Sequence, residues 1–319
     1  MNQTVVVGMS GGVDSSVAAY LLKEQGYHVI GVTMEMLKKA PEVGEEANDA
    51  KKICDRLEIP HYIMHFNEEF ECKVMNPFVE EYLHGRTPNP CVLCNRNIKW
   101  QALMERGKKL GADYIATGHY ARIIKLPNGR YTVKNAASMA KDQTYVLCQL
   151  SQEQLSHTLM PVGAYEKEEI RSIAKKLGME VADKKDSQDI CFIDDDYSDF
   201  LEERLHGNLP PEGNFVWKDG TVVGRHKGIT HYTIGQRKGL NIALGKPVFV
   251  KKIVVEKNEV VLGDNEDVFT DSLVADQWNM ISEETLDETK TYIGKIRYSH
   301  KGTECKVKKI SDTEYQVNF

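Results

Sequence analysis

Nowhere in these 319 residues does an apolar run approach the roughly 18 residues that cross a bilayer, so no membrane partner is expected. The first residues carry no basic stretch followed by a long apolar segment and a small-residue cleavage site, so no secretory leader is expected either. Cysteine is sparse: there are seven, an odd number at irregular spacing, which argues against a disulfide framework. A reducing cytoplasm is the expected home, and there cysteines are more often reactive or metal-binding than bridged. There is no internal repeat and no low-complexity segment. The net charge of −6 shows no overall excess of positive charge for a nucleic-acid partner. What is present is ordinary for a globular protein, with 41% hydrophobic and 28% charged residues. The length suggests about two domains, or three.

The most informative stretch is Ser10-Gly11-Gly12-Val13-Asp14-Ser15-Ser16, directly after the apolar run Val5-Val6-Val7-Gly8-Met9. A β-branched run, a glycine pair and hydroxyl side chains read as strand, tight loop and helix start. Such a corner offers unpaired backbone N–H groups and the positive end of a helix dipole to an anion. The glycines let the backbone approach a phosphate closely, and Ser10, Ser15 and Ser16 can add hydroxyl donors. No Gly-Lys-Ser/Thr follows, so this is not the Walker pattern. It resembles instead the PP-loop, SGGxDS, of the ATP pyrophosphatases, which transfer AMP to an oxygen and release pyrophosphate.

Strand-like and helix-like patterns alternate over the first two hundred residues. Val5–Met9, His28–Met34, His61–Phe66 and Asp113–Thr117 read as short buried strands. Ser15–Gln25, Val43–Leu57 and Ile98–Leu110 have helical spacing, and Gly26, Gly111 and Gly178 sit where glycines end helices. This predicts an α/β fold with a doubly wound parallel sheet. Ligands on such sheets bind beyond the carboxyl ends of the strands. Ser10–Ser16, Met34 and Thr117-Gly118-His119 all fall at such ends, so one cleft would gather them.

The pattern changes near Leu205, where Gly207, Pro210, Pro211 and Gly213 resemble a linker. Short alternating runs follow, among them Phe215–Trp217, Thr221–Val223 and a hairpin-like pair, Lys251–Lys257 with Glu259–Gly263. The expected organisation is a domain over 1–204, a small mixed domain over 205–245 and a β-rich, barrel-like domain over 246–319. Charge is uneven across this region. Lys218, Arg225, Lys227, Arg237, Lys238, Lys246, Lys251 and Lys252 lie in a stretch whose one acid is Asp219, whereas Asp183 to Glu203 holds nine acids. The basic stretch reads equally as a phosphate-binding surface or as a solvated face.

Pro88-Asn89-Pro90-Cys91-Val92-Leu93-Cys94-Asn95 precedes a helical pattern, and the prolines predict an extended approach. Cys94 is then expected near the helix N-terminus, where a thiol pKa falls. One Cys-x-x-Cys is compatible with half a zinc site, a redox pair or a loop with one reactive thiol; no second such pair exists for a four-cysteine zinc site. Cys191 lies in the acidic, loop-like Asp186-Ser187-Gln188-Asp189-Ile190-Cys191-Phe192-Ile193. Cys54, Cys72, Cys148 and Cys305 read as small buried hydrophobes.

Together with Ala116-Thr117-Gly118-His119-Tyr120-Ala121-Arg122, Lys141-Asp142-Gln143, Gly224-Arg225-His226 and Tyr232-Thr233-Ile234-Gly235-Gln236-Arg237-Lys238-Gly239-Leu240, these motifs resemble, in order along almost the whole chain, the bacterial tRNA-specific 2-thiouridylases. The resemblance implies ATP on Gly8, Met9, Ser10, Gly11, Gly12, Val13, Asp14 and Ser15, with Met34 and Gly118 around the adenosine and Mg2+ on the phosphates. It implies adenylation of the 2-oxo oxygen of a tRNA wobble uridine. Cys191 matches the cysteine that receives persulfide sulfur from a cysteine desulfurase or a sulfur-relay protein, and Cys94 the catalytic cysteine; a Cys94–Cys191 disulfide results and is then reduced. Such chemistry suits the groups: a carbonyl oxygen leaves once adenylated, and a thiolate or persulfide is a good nucleophile near neutral pH. Target-base contacts fall on Asn89, Pro90 and Cys91, and tRNA contacts on Lys141, Asp142, Gln143, Arg297 and Tyr298. The wobble base must leave its stack to react. The basic stretch, with Arg225, Arg237 and Lys238, then reads as a phosphate surface.

Two departures stand out. Position 91 is Cys where well-known members carry Asp, so Cys91, Cys94 and Cys191 could instead be three ligands of a [4Fe–4S] cluster. The chain also ends inside a strand-like run, Glu314–Phe319, where members usually continue; on the resemblance it is either truncated or naturally short, with an incomplete barrel. Two other classes compete. Small-molecule PP-loop ligases, of the argininosuccinate or GMP synthesis kind, need no cysteine pair. A non-catalytic RNA- or metal-binding module leaves the phosphate loop unexplained.

Overall fold

The computed structural model describes residues 3–37, 44–184, 190–193 and 196–319. These fall into two compact units. One comprises Met1–Lys73, Cys91–Gln188 and Ala275–Val317; the other comprises Val74–Pro90, Asp189–Val274 and Asn318–Phe319.

The first unit contains β1 (Thr4–Gly8), β2 (His28–Glu35), β3 (His61–His65), β4 (Tyr114–Ala116), β5 (Ala121–Lys125), β6 (Tyr131–Asn135) and β7 (Thr158–Leu159). Five of them pair in parallel in the order β3-β2-β1-β4-β7, while β5 and β6 form an antiparallel hairpin. Val5, Val6 and Val7 of the central strand have no exposed surface. A strand covered on both faces needs a continuous apolar run rather than an alternating one. Val5 and Val7 pack with helices α1 (Val13–Glu24), α2 (Glu45–Arg56) and α3 (Lys167–Lys176), through Val17, Leu22, Ile53 and Ile170. Val6 faces the other way, where a Cβ on Gly107 of the helix Leu103–Lys109 would come 3.6 Å from it. The doubly wound parallel sheet expected from the alternation is therefore present, with helices on both faces. Gly26, Gly111 and Gly178 have φ of +86°, +77° and +61° and follow the ends of helices, as expected.

Besides β3, an edge strand exposed at Tyr62, Ile63 and His65 where the sequence predicts a buried one, two expectations need correcting. The prolines before Cys94 do not hold the chain extended up to that residue: Pro90 opens the helix Pro90–Cys94. Proline suits a first helical position because its missing N–H has no partner to lose there. Cys94 thus ends that turn and leads into a π-helical stretch, Asn95–Ala102, and the N-terminal dipole, which fades within one turn, does not act on it as expected. Second, Cys54 and Cys305 are buried, but Cys72 and Cys148 are exposed. Burial pushes the Cys54 thiol up to about 12, which makes it inert near neutral pH.

In the second unit, β8 (Gly213–Trp217), β9 (Val222–His226), β10 (Phe249–Val254) and β11 (Glu259–Gly263) form one sheet in the order β10-β11-β8-β9. The β10–β11 hairpin read from the sequence is present, turning at Asn258, which adopts a left-handed conformation. Phe215, Ile229, Tyr232, Val250, Val260 and Leu262 form the core. His226 is buried against it, its Nδ1 accepting from the Gly228 N–H at 3.0 Å and its Nε2 lying 3.1 Å from the Asn258 carbonyl. Of the later strands, β12 (Ser272–Ala275) lies at the boundary of the units, while β13 (Tyr292–Gly294), β14 (Thr303–Lys309) and most of β15 (Tyr315–Asn318) fall in the first unit. In β14 Cys305 and Val307 are buried while Glu304, Lys306 and Lys308 are exposed, the alternation of a sheet with one wet face. Among the described residues, no helix is long and apolar enough to cross a membrane.

Candidate active site

Gly8 ends β1, and the chain turns at once into the glycine loop at the carboxyl edge of the sheet. Met9 is anchored by its N–H on the Val32 carbonyl at 2.8 Å and by the Thr33 hydroxyl, which donates to its carbonyl at 3.2 Å. Ser15 Oγ accepts from the Ser10 N–H at 3.2 Å, which closes the loop on itself, and the Ser16 hydroxyl donates to the Gly12 carbonyl at 2.8 Å. Gly11 has φ +68°, and a Cβ there would lie 2.4 Å from the Glu46 carbonyl oxygen, so glycine is required twice over. Gly12 is the N-cap of α1, and no side chain caps that helix. Val13 is buried beneath the loop.

The ends of neighbouring strands converge here. Met34 is half-buried near the end of β2. Gly118 follows β4 and lies so close to α1 that a Cβ would be 2.6 Å from the Ser15 nitrogen. The arrangement expected at the carboxyl edge, with Ser10–Ser16, Met34 and Thr117-Gly118-His119 at strand ends, is present in one unit. Glycine at 11 and 118 lets the Glu46 backbone and the first turn of α1 pack against these turns, and the N-terminus of α1, which no side chain caps, is left to an anion, so the residues present fit the phosphates of ATP.

Asp14 stands in the first turn of α1, and its carboxylate is fully engaged. Lys167 Nζ lies 2.8 Å from both oxygens, and the Tyr120 hydroxyl donates to Oδ1 at 2.8 Å. The Lys167 side chain is 6% exposed and that of Asp14 27%. Sequence reading missed Lys167: it lies 153 residues from Asp14, and no local pattern marks it. Tyr120 is held in turn by Gln143, whose Oε1 accepts from the Tyr120 N–H at 2.8 Å and whose N–H donates to the Tyr120 carbonyl at 2.9 Å. Beside it the His119 ring lies 5.4 Å from Trp100 and 2.8 Å from the Thr117 hydroxyl. Burial holds its pKa down at about 3, so it is neutral.

Cys94 is 6% exposed, with Sγ 4.0 Å from Met36 Sδ, while Cys91, one turn earlier on the same helix, is exposed. Asn89 is exposed and Pro90 buried. Asn95, 1% exposed, donates from Nδ2 to the Val146 carbonyl at 3.0 Å. Among the described residues, no group of three or more His, Cys, Asp or Glu side chains is placed to hold a metal ion.

The residues expected to touch tRNA in the first unit come together. Tyr298 donates its hydroxyl to the Asp142 carbonyl at 3.2 Å, its ring lies 6.4 Å from Tyr145, and Lys295 sits over both rings. Arg297 is exposed and Lys141 half-buried. The Asp142 carboxylate is turned inward, accepting from the Ala136 N–H at 2.9 Å and the Thr144 N–H at 3.2 Å. Its part in this turn is to shape the backbone.

In the second unit Cys191 is exposed, beside Phe192, which is 8% exposed in an aromatic cluster with Phe78 at 5.3 Å and Phe200 at 5.0 Å. The start of that motif, 186–189, lies outside the described residues. The basic stretch is less uniform than its sequence. Lys218 pairs with Asp264 and Asp267, Lys246 with Asp264 and Lys251 with Asp267. Both acids lie beyond the window in which charge was counted. Arg225 is 3.9 Å from Glu212. Arg237 and Lys238, like Lys227 and Lys252, are exposed and make no ion pair among the described residues.

Residues 3–195 match the family model described as a tRNA methyl transferase HUP domain, and residues 198–264 the model described as a tRNA methyl transferase PRC-barrel domain. The chain is 54% identical to a protein of Lachnoclostridium phytofermentans named tRNA-specific 2-thiouridylase MnmA, covering 99% of this chain and 91% of that one. It is 51% identical to a Clostridium tetani protein named tRNA-specific 2-thiouridylase MnmA 1, covering 100% and 90%. A solved 4-thiouridine synthetase–RNA complex with bound ATP aligns over 64% of this chain and 50% of that one, at 16% identity and a TM-score of 0.39, too loose a likeness to bear on function.

Proposed function

The chain belongs to the tRNA-specific 2-thiouridylase family, and on that premise we propose that it uses ATP to replace the 2-oxygen of a tRNA wobble uridine with sulfur. The observation that carries the nucleotide half of this reading is the glycine loop after β1, where Gly11 and Gly118 admit no Cβ and Asp14 is held in the first turn of α1. The loop Gly8–Ser15 binds the phosphates through backbone N–H groups. Met34 and Gly118 border the adenosine. Mg2+, when bound, draws charge off the phosphates, and Asp14 is the loop's own carboxylate, the group that would turn to it.

The chemistry then runs in two stages. The uracil 2-oxygen attacks the α-phosphate of ATP and pyrophosphate leaves, which turns a poor leaving group into AMP. The terminal sulfur of a persulfide on Cys191 attacks carbon 2, AMP departs, and the Cys94 thiolate attacks the Cys191 sulfur. That last step frees the thiolated base and leaves a disulfide for an external reductant. The exposure of Cys191 suits a group loaded by a separate cysteine desulfurase or relay protein, and the shielding of Cys94 suits a nucleophile used once per turnover. Asn89, Pro90 and Cys91 are assigned to the flipped base, and Lys141–Gln143, Arg297 and Tyr298 to tRNA. Arg225, Arg237 and Lys238 are assigned to phosphates. Catalysis is assigned to 1–204 and tRNA contact to 205–245, with 246–319 β-rich. The sheet joining β8 and β9 to β10 and β11 supports extending the middle domain to about residue 264.

The test is anaerobic thiolation of unmodified tRNA with ATP and Mg2+, read by mass spectrometry. The expected result is 2-thiouridine from iron-free protein supplied with a cysteine desulfurase and cysteine. Product only with reconstituted iron and inorganic sulfide would overturn the persulfide route and make Cys91, Cys94 and Cys191 cluster ligands.

A further inference from the structure

Lys167 is a cation in an unfavourable place. It is the first residue of α3, at the positive end of that helix, and it is 5% exposed. A buried ammonium is retained only where a partner compensates its lost hydration. Here Nζ lies 2.8 Å from each oxygen of Asp14, the acid of the nucleotide loop, and 5.5 Å from the centre of the Tyr120 ring, whose hydroxyl donates to Oδ1 as well. In this arrangement the carboxylate that a divalent cation would use is already neutralised from within the chain.

We infer that Lys167 is a positioning residue, the built-in counter-ion of Asp14, which denies that carboxylate to a metal ion until nucleotide arrives. This rests on the reading that the loop after β1 holds Mg·ATP. A metal ion alone must displace an ammonium that sits on both oxygens, so it gains little. ATP arriving with its metal brings negative charge of its own. When Asp14 turns to the metal, the Lys167 ammonium is left beside the phosphates and its charge is matched again. Lys167 therefore acts with opposite sign on the two partners: it weakens binding of metal alone and strengthens binding of ATP alone.

The opposite signs make the test decisive. Mn2+ binding to the full chain without nucleotide is measured by the electron-paramagnetic signal of free Mn2+, and ATP binding in EDTA by calorimetry. Lys167→Gln should bind Mn2+ alone on the order of tenfold more tightly and metal-free ATP on the order of tenfold more weakly. Adding Asp14→Asn should remove the gain for Mn2+, and Lys167→Arg, which keeps the charge, should restore metal-free ATP binding. If both affinities fall together, or neither moves, the inference is overturned and Lys167 is a structural ion pair. Should the Gln variant not fold, a comparison of wild type with Asp14→Asn decides: nucleotide-free Mn2+ affinity should be the same in both, and a loss in the Asn variant overturns the inference. A wild-type chain that binds ATP neither with nor without Mn2+ fails the nucleotide reading itself, a different result from any of these.

Discussion

The two units treat their functional side chains in opposite ways. In the first, the groups at the nucleotide loop and beside Cys94 are shielded and already partnered: Cys94 at 6% exposure, Asp14 on Lys167 and Tyr120, and His119 on Thr117. In the second, Cys191, Arg237 and Lys238 all face solvent, and Cys191 is carried on a short stretch pinned by the buried Phe192. The difference separates two tasks. Groups that must hold a small reactive centre still are fixed by burial and hydrogen bonds. Groups that must meet another macromolecule are left reachable, with their anchoring supplied by a neighbour.

The sharpest way to break this comparison is to remove one thiol from each side. Cys94→Ser and Cys191→Ser should each cut 2-thiouridine formation by more than about a hundredfold, while calorimetry finds ATP binding intact in both; product at the wild-type rate from either variant would remove that cysteine from the mechanism. Next is the loop. Gly11→Ala forces a side chain into a left-handed residue, costing about 1–2 kcal/mol, and against the Glu46 backbone besides, so ATP affinity should fall at least about tenfold. Gly239→Ala has φ +76° but no backbone nearby and should leave ATP binding unchanged.

Exposure itself can be read by alkylation. Iodoacetamide should modify Cys191 and Cys91 on the order of tenfold faster than Cys94, followed by peptide mass spectrometry, since access as well as thiolate character limits the rate. Equal rates would show that Cys94 is not shielded in solution. On the charged surface, Arg237→Glu with Lys238→Glu should weaken tRNA binding and reduce its salt slope by about one per lost phosphate contact. Lys218→Ala should barely move it, because Asp264 and Asp267 already hold that charge.

A last effect concerns pH. Unfolded, His119 takes up a proton below its ordinary value of 6.5, whereas in the folded chain burial delays uptake to about 3. The unfolded state therefore binds more protons across that window, and stability falls as the pH drops through it, by at most about 1.4 kcal/mol per pH unit. Thermal unfolding of His119→Asn should show a shallower loss between pH 6.5 and 4 than the parent.

What the sequence disclosed was local. The glycine loop, its strand and its helix are one unbroken stretch, Thr4 to Glu24, and the burial of the strand follows from a run of three valines. The same holds for the β10–β11 hairpin. What it concealed depended on distant partners. Lys167 gains meaning only from Asp14, and the basic stretch loses part of its charge only because Asp264 and Asp267 fold back on it. Cys94 was misplaced for a smaller reason: a proline that stiffens an extended approach and a proline that opens a helix look alike in sequence. Helix- and strand-like patterns around Cys72 and Cys148 do not say which face a residue lies on, and both are exposed.

The first unit is drawn from three separated stretches of chain, and this bears on its birth at the ribosome. Arg130, next to β6, donates to the carbonyls of Ile281 at 2.9 Å and Met280 at 2.6 Å, and those acceptors are synthesised about 150 residues later. At about 5–20 residues per second, the β5–β6 hairpin waits on the order of ten seconds or longer for them. Stalled nascent chains ending before residue 280 should accordingly be cut by protease near Arg130, and chains extended past it should be protected.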